Sequence, residues 1–233
     1  MSELLKISGL WGGYKEGVDI LRGIDLTVNE GDAVGIIGLN GSGKSTLGKA
    51  VMNMIPFRRG KVEWMGEDVT ALSTHELALK GLSIMQQGGQ VFQTLSVWEN
   101  LELAAASGES LDEIREIIPL LQSPRRELQH RMADKLSGGQ KHQLALAMTM
   151  ASRPRLVILD EPSAGLSPKA VEEMYGMLQA VRERMNVTIV LIEQNVAKAV
   201  GFCKESYIVS QGCVRLDVGS VSNMEQVEHF MFV

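Results

Sequence analysis

Hydrophobic positions along the chain alternate between two periods. Short β-branched or aliphatic runs predict strands at Leu4–Leu10, Ile24–Val28, Ala33–Ile37, Lys61–Trp64, Ser83–Met85, Leu156–Leu159, Thr188–Ile192, Ser206–Ser210 and Gly212–Leu216. Between them, apolar residues three and four apart predict helices over Lys44–Met54, Thr74–Lys80, Trp98–Ala106, Leu111–Leu121, Gly139–Ala151, Pro168–Arg184 and Val196–Phe202. Ser167-Pro168 marks a helix start, with a capping hydroxyl followed by a ring whose φ is already helical. Asn29-Glu30-Gly31-Asp32 and Gln211-Gly212 read as turns between strands. From about Gly88 to Ala151 the pattern is almost all helical, between two strand-rich parts. An α/β core carrying a helical insertion accounts for this, with no linker or repeat to separate independent domains.

Composition narrows the class. Of 233 residues, 45% are hydrophobic and 22% charged, which is globular usage rather than disordered usage. A net charge of −5 excludes a general nucleic-acid or anionic-membrane binder, which needs a basic surface. The longest apolar stretches, Leu144–Ser152 and Val187–Ile192, fall well short of the roughly 18–20 residues of a membrane span. Met1-Ser2-Glu3-Leu4-Leu5-Lys6 does not read as a signal peptide, and two cysteines make no disulfide framework. These features together predict a soluble protein of a reducing cytoplasm.

The chemistry begins after the Ala33–Ile37 strand, at Gly38-Leu39-Asn40-Gly41-Ser42-Gly43-Lys44-Ser45-Thr46. This is G-x-x-x-x-G-K-[ST] between a strand and a helix. Gly38, Gly41 and Gly43 let the backbone curl and aim its N–H groups at a phosphate, with the positive end of the following helix behind them. Lys44 is placed for the β/γ-phosphates and the Ser45 hydroxyl for Mg²⁺. Further on, Leu156-Val157-Ile158-Leu159 leads into Asp160-Glu161-Pro162. A continuously apolar strand is buried on both faces and delivers the carboxylates at its C-terminal edge. Asp160 is the candidate to hold Mg²⁺ through water, and Glu161 to polarise the attacking water.

Leu136-Ser137-Gly138-Gly139-Gln140 precedes those carboxylates. With the two elements above, the chain resembles the ATP-binding cassette (ABC) ATPases, whose signature is LSGGQ. The resemblance extends in order along nearly the whole chain. It implies a P-loop NTPase (RecA-like) core, about residues 1–87 and 152–233, with an N-terminal antiparallel β subdomain and a helical subdomain at about 88–151, all within a single ABC ATPase domain. It also implies two ATP molecules sandwiched head to tail between two such subunits. Ser137, Gly138, Gly139 and Gln140 would meet the γ-phosphate held by the partner's P-loop. Tyr14 matches the aromatic that stacks on adenine, with Trp11 close enough to serve instead. Gln87 matches the glutamine that contacts Mg²⁺ or its water, with Gln86 beside it. Ser163-Ala164-Gly165-Leu166-Ser167 matches the loop that crosses to the partner.

Most members of the family carry a histidine shortly after the strand equivalent to Thr188–Ile192. Here the chain reads Glu193-Gln194-Asn195, and its histidines are at 75, 130, 142 and 229. Glu-Gln-Asn is typical of the LivF-like branch, ATPase subunits of branched-chain and hydrophobic amino acid importers. Val91–Leu101 and Asp160–Pro168 agree with that branch, whereas Met85-Gln86-Gln87-Gly88-Gly89 and Ala145-Leu146-Ala147-Met148 depart from it. The resemblance implies hydrolysis through Glu161, with Gln194 a γ-phosphate sensor that can donate a hydrogen bond but carry no proton. The rival reading is a site that binds ATP without turning it over. Expected partners are a second ABC ATPase, homo- or heterodimeric, transmembrane permease subunits and, indirectly, a solute-binding protein. This places the chain on the cytoplasmic face of the inner or plasma membrane, peripheral through the permease and with no nucleic acid. Exporter or lipid-system ATPases, and a soluble ATP-gated clamp, are the alternatives.

Other signals are read as structural. Val91, Phe92, Leu95, Val97 and Trp98 are equally suited to a permease contact and to packing of the insertion. Arg58-Arg59 and Arg125-Arg126 read as solvated pairs, and Phe230-Met231-Phe232-Val233 as a tail folded back on its own domain.

Overall fold

The computed structural model describes residues 2–105 and 111–219. In chain order the elements begin with β1 (Glu3–Gly13), β2 (Leu21–Asn29), β3 (Ala33–Ile37), α1 (Lys44–Val51), β4 (Phe57–Trp64), β5 (Glu67–Asp68) and α2 (Thr74–Leu79). There follow β6 (Leu82–Met85), α3 (Val97–Ala104), α4 (Asp112–Ile117), α5 (Arg125–His130), α6 (Gly138–Ala151), β7 (Leu156–Asp160) and α7 (Pro168–Met185). The last are β8 (Thr188–Glu193), α8 (Val196–Phe202), β9 (Glu205–Ser210) and β10 (Cys213–Gly219). The chain divides into two compact units, one of residues up to Leu82 and from Thr188 onward, the other of Ser83–Val187.

In the first unit an antiparallel sheet runs in the order β2-β1-β4-β5. β4 starts earlier than the hydrophobic pattern predicts, because Arg58 and Arg59 lie in the ladder opposite Gly12 and Trp11. Arg59 stacks over the Trp11 ring at 4.6 Å and forms a two-pronged ion pair with Asp19. Arg58 turns inward and donates to the carbonyls of Ala50 and Thr70, and burial pushes its pKa down. So Arg58 is half-buried rather than fully solvated, contrary to expectation, and carbonyl dipoles meet its charge.

The same unit holds the strand run β10-β9-β3-β8, in which β3 is parallel to both β8 and β9. Every residue of β3 and β8 is buried. That is the reason their sequences read as unbroken apolar runs instead of alternating ones. Register pairs Ile37 at the end of β3 with Glu193 at the end of β8 and with Ile208 of β9. The loop after β3 and the loop after β8 therefore leave the same sheet edge.

In the second unit β7, buried throughout, neighbours β6, and the helices pack around Leu101, Ile114, Leu121, Leu128, Leu144, Leu146 and Met150. α3 and α6 open with reciprocal capping boxes, Ser96 with Glu99 and Ser137 with Gln140. The expected helix Leu111–Leu121 is in fact α4 plus a 3₁₀ turn at Pro119–Gln122, since Pro119 cannot supply a helical N–H. α5 was not predicted. Its Arg125 lies over the Trp98 ring at 4.2 Å and reaches Glu102, while its side chain stays exposed, as the sequence reading expects. The tail Phe230–Val233 lies outside the described residues.

Candidate nucleotide site

The loop Gly38–Thr46 is built around a helix start that its own side chains leave uncapped. Gly43 is the N-cap of α1, with φ +107°, and makes no side-chain cap hydrogen bond. α3, α6 and α7, the other described helices of eight residues or more, all have side-chain caps. No acidic residue occupies the first turn of α1 either. A helix N-terminus without a side-chain cap turns its positive end toward an anion. Lys44 is 4% exposed and folds back, Nζ donating to the carbonyls of Gly38 (2.8 Å) and Leu39 (2.9 Å). Ser42 Oγ is buried without a hydrogen-bond partner. A Cβ on Gly38 would lie 2.2 Å from the Val209 carbonyl, so only glycine fits at the mouth of the loop. A phosphate fits this set: an unpaired Ser42 hydroxyl, an ammonium already at the loop and a helix N-terminus without a side-chain cap.

Two neighbours hold the loop. Gly212, in the turn between β9 and β10, donates its N–H to the Ser42 carbonyl at 2.9 Å and accepts from Arg22 N at 2.8 Å. The hairpin after β1 packs Ile20 and Leu21 against Gly43. That hairpin presents Tyr14, 48% exposed, while one face of Trp11 is covered by Arg59. Of the two candidate rings, Tyr14 has the open face that stacking requires. The role of Gly212 was not predicted. Its only sequence signal is a turn glycine, and its contacts lie some 170–190 residues away in the chain.

On the same sheet edge, Glu193 is buried and its carboxylate accepts from the N–H groups of Gln194 (3.1 Å) and Asn195 (3.5 Å). Asn195 Oδ1 in turn caps α8 by accepting from Lys198 N at 3.1 Å. Glu-Gln-Asn is thus a local clip, with Gln194 at its exposed apex.

The second unit carries the carboxylates. Asp160 and Glu161 are 2% and 7% exposed, and Glu161 has a left-handed backbone, φ +49°. A non-glycine residue in that region carries strain that the surroundings must sustain, a pattern common at functional positions. Gln87 Nε2 donates to Glu161 Oε2 at 2.8 Å. Gln86 instead lines a separate cavity of about 270 Å³ with Met85, Gln90 and Met148, so the pairing falls to Gln87.

Ser137, Gly138, Gly139 and Gln140 sit at the start of α6, which begins at Gly138, one residue earlier than predicted. Ser137 Oγ accepts from Gln140 N, and Gln140 Oε1 accepts from Ser137 N and from Arg131. Capping uses a lone pair of the hydroxyl and leaves its O–H able to donate. The loop Ser163–Ser167 faces this start across a cavity of about 490 Å³, lined also by Glu173, Met174 and Met177. Val97 and Trp98 are buried in the insertion's own packing, so they are no partner surface, whereas Phe92 is 51% exposed. Among the described residues no three His, Cys, Asp or Glu side chains cluster as a metal site. Any divalent ion would need mixed oxygen donors, which suits Mg²⁺.

The family model described as ABC transporter matches residues 21–164. A probable branched-chain amino acid transport ATP-binding protein LivF of Archaeoglobus fulgidus is 32% identical over 230 residues, covering 97% of this chain and 96% of that protein. The lipopolysaccharide export system ATP-binding protein LptB of Escherichia coli is 30% identical over 224 residues, covering 93% and 90%. A crystal structure of a nucleotide-free ATP-binding cassette from an ABC transporter aligns with TM-score 0.81 at 24% identity, over 99% of this chain and 96% of that one. The chain belongs to the ABC transporter family, as one of its ATP-binding, ATP-hydrolysing subunits. The mixed α/β cassette fold expected from the motifs is the fold found.

Proposed function

We propose that this chain, as a single ABC ATPase domain with its core at about 1–87 and 152–233, powers import of branched-chain or related hydrophobic amino acids. The pairing of buried Glu161 with the Gln87 amide carries the hydrolytic part of the reading, because it fixes a carboxylate at a strand end where a water can be deprotonated. Lys44 and the loop Gly38, Asn40, Gly41, Ser42, Gly43 and Thr46 bind the β- and γ-phosphates, and Tyr14 stacks on adenine. Ser45, Gln87 and Asp160 would hold Mg²⁺, which supplies neutralisation of phosphate charge. Glu161 takes the proton of the attacking water, and Gln194 donates a hydrogen bond to the γ-phosphate. Ser137, Gly138, Gly139 and Gln140 complete the site of a second ABC ATPase subunit. Only ATP presents charge to both sides, so ATP favours the closed pair and hydrolysis reopens it.

The likeness to LivF over nearly the whole of both chains supports the amino-acid assignment, and the likeness to LptB supports lipid export as a second reading. Among the described residues no helix is long and apolar enough to cross a membrane. By its likeness to transporter ATP-binding proteins we place the subunit at the cytoplasmic face, held by permease subunits near exposed Phe92 and supplied by a solute-binding protein. Glu161→Gln tests the whole reading. The purified variant is expected to bind ATP, run at dimer size with ATP present and not turn over. Cells carrying it as the sole copy are expected to lose uptake of radiolabelled leucine. Wild-type turnover in the variant overturns the assignment of Glu161. Intact leucine uptake with lost lipopolysaccharide export moves the chain to the second reading.

A further inference from the structure

The helix that starts at the signature motif carries a buried histidine that the chemistry above does not use. His142 lies in the second turn of α6 and is 7% exposed. Its Nδ1 is 3.0 Å from the Gly138 carbonyl. A carbonyl only accepts, so Nδ1 bears the proton. Nε2 is buried without a hydrogen-bond partner. The ring is thus tied to the first turn of the signature helix by one bond.

The loop that follows Gln87 lies against the backbone and the root of the side chain of the same residue. Gly88 and Gly89 are both left-handed, with φ +86° and +59°. A Cβ on Gly89 would stand 3.2 Å from His142 Cα and 3.3 Å from its N and Cγ, so the loop backbone rests directly on this residue. Further along, buried Asn100 holds the same loop by Nδ2 to the Phe92 carbonyl (3.0 Å) and by Oδ1 from Phe92 N (2.8 Å). Between these two anchors and β6 the segment has little freedom. Gln87, two residues before Gly89, donates to Glu161.

We infer that His142 is a positioning residue for ATP hydrolysis: bonded to Gly138 and packed under Gly89, it ties the start of the signature helix to the turn that holds Gln87 on Glu161. The inference rests on the catalytic reading of Glu161 given above. Two variants separate its parts in the full-length protein. His142→Phe keeps a flat ring and removes the donor; His142→Asn keeps a donor where Nδ1 lies and removes the ring.

For His142→Phe, kcat is expected to fall about tenfold, the scale of one hydrogen bond, with KM for ATP within about twofold. Amide exchange at residues 86–90 should quicken in parallel. His142→Asn should recover kcat to within about threefold of wild type and restore slow exchange. Unchanged exchange and kcat in His142→Phe, or losses in His142→Asn equal to those in His142→Phe, overturn the inference. The exchange comparison needs no turnover. If Glu161→Gln proves fully active, the catalytic reading falls while the exchange data still decide whether His142 holds the Gln87 turn.

Discussion

Replacing Gly212 with alanine tests whether the phosphate loop depends on a turn far away in the sequence. Gly212 has φ +81°, where an L residue pays about 1–2 kcal/mol. A Cβ there would lie 1.8 Å from the Ile20 carbonyl oxygen and 2.9 Å from its carbon. Both are backbone atoms of the hairpin that packs on Gly43, so no flexible side chain can give way. Forcing an extra methyl into such a place costs about 1–3 kcal/mol more. Gly17 supplies the control: φ is +73°, similar to that of Gly212, but a Cβ there meets nothing within 4 Å. Gly17→Ala should therefore show the conformational cost alone, and Gly212→Ala about 1–3 kcal/mol beyond it, several degrees in Tm. Because Gly212 N also donates to the Ser42 carbonyl, ATP affinity should fall about tenfold in Gly212→Ala only. Differential scanning calorimetry and ATP titration read the two effects. Equal Tm and equal ATP affinity for the two variants would refute the reasoning.

Two smaller perturbations follow from the caps. Asn195→Ala removes the side chain that caps α8 and should cost about 1 kcal/mol, seen as a Tm drop of about 2–4 °C, with Gln194 no longer held at a fixed apex. A Tm unchanged within 1 °C or so would deny the cap any role. The carboxyls of Glu76 and Glu99 are held below the usual glutamate value of about 4.3, chiefly by their bonds to Ser73 and Ser96. A depressed folded-state pKa means that this stability is present above the ordinary value and lost as pH falls through the lower one. Wild type should therefore lose Tm more steeply below about pH 4 than the Glu76→Gln/Glu99→Gln protein, and superimposable acid limbs would contradict this.

The parts legible in the sequence were those with local causes. β3 and the loop after it follow from an apolar run meeting Gly38, Gly41 and Gly43, and β7 from a run ending at Asp160. Gln87 could be named, but only the fold separated it from Gln86, because which of two adjacent amides meets Glu161 depends on a strand 74 residues away. Arg58 departs from the solvated reading for the same reason. A charged residue looks solvated until the carbonyls of Ala50 and Thr70 are brought to it. α5 left no clear periodic trace, since six residues opening with Arg125-Arg126 expose all but Leu128. Ser137 was assigned to phosphate binding from its motif, and the structure adds a cap on α6 that the motif does not reveal.

The pairing of β3 also governs how the chain is made. β3 emerges well before both of its strand neighbours, β8 and β9, which lie some 150–175 residues further on. At about 5–20 residues per second, that leaves roughly ten to thirty seconds in which Ala33–Ile37 has no ladder on either edge. Five buried residues with two unsatisfied edges make an adhesive segment during that interval. The nucleotide loop thus cannot be completed while the chain is still growing through its helical insertion. Chaperone occupancy on the nascent chain should peak over this interval and collapse once β9 has cleared the ribosome.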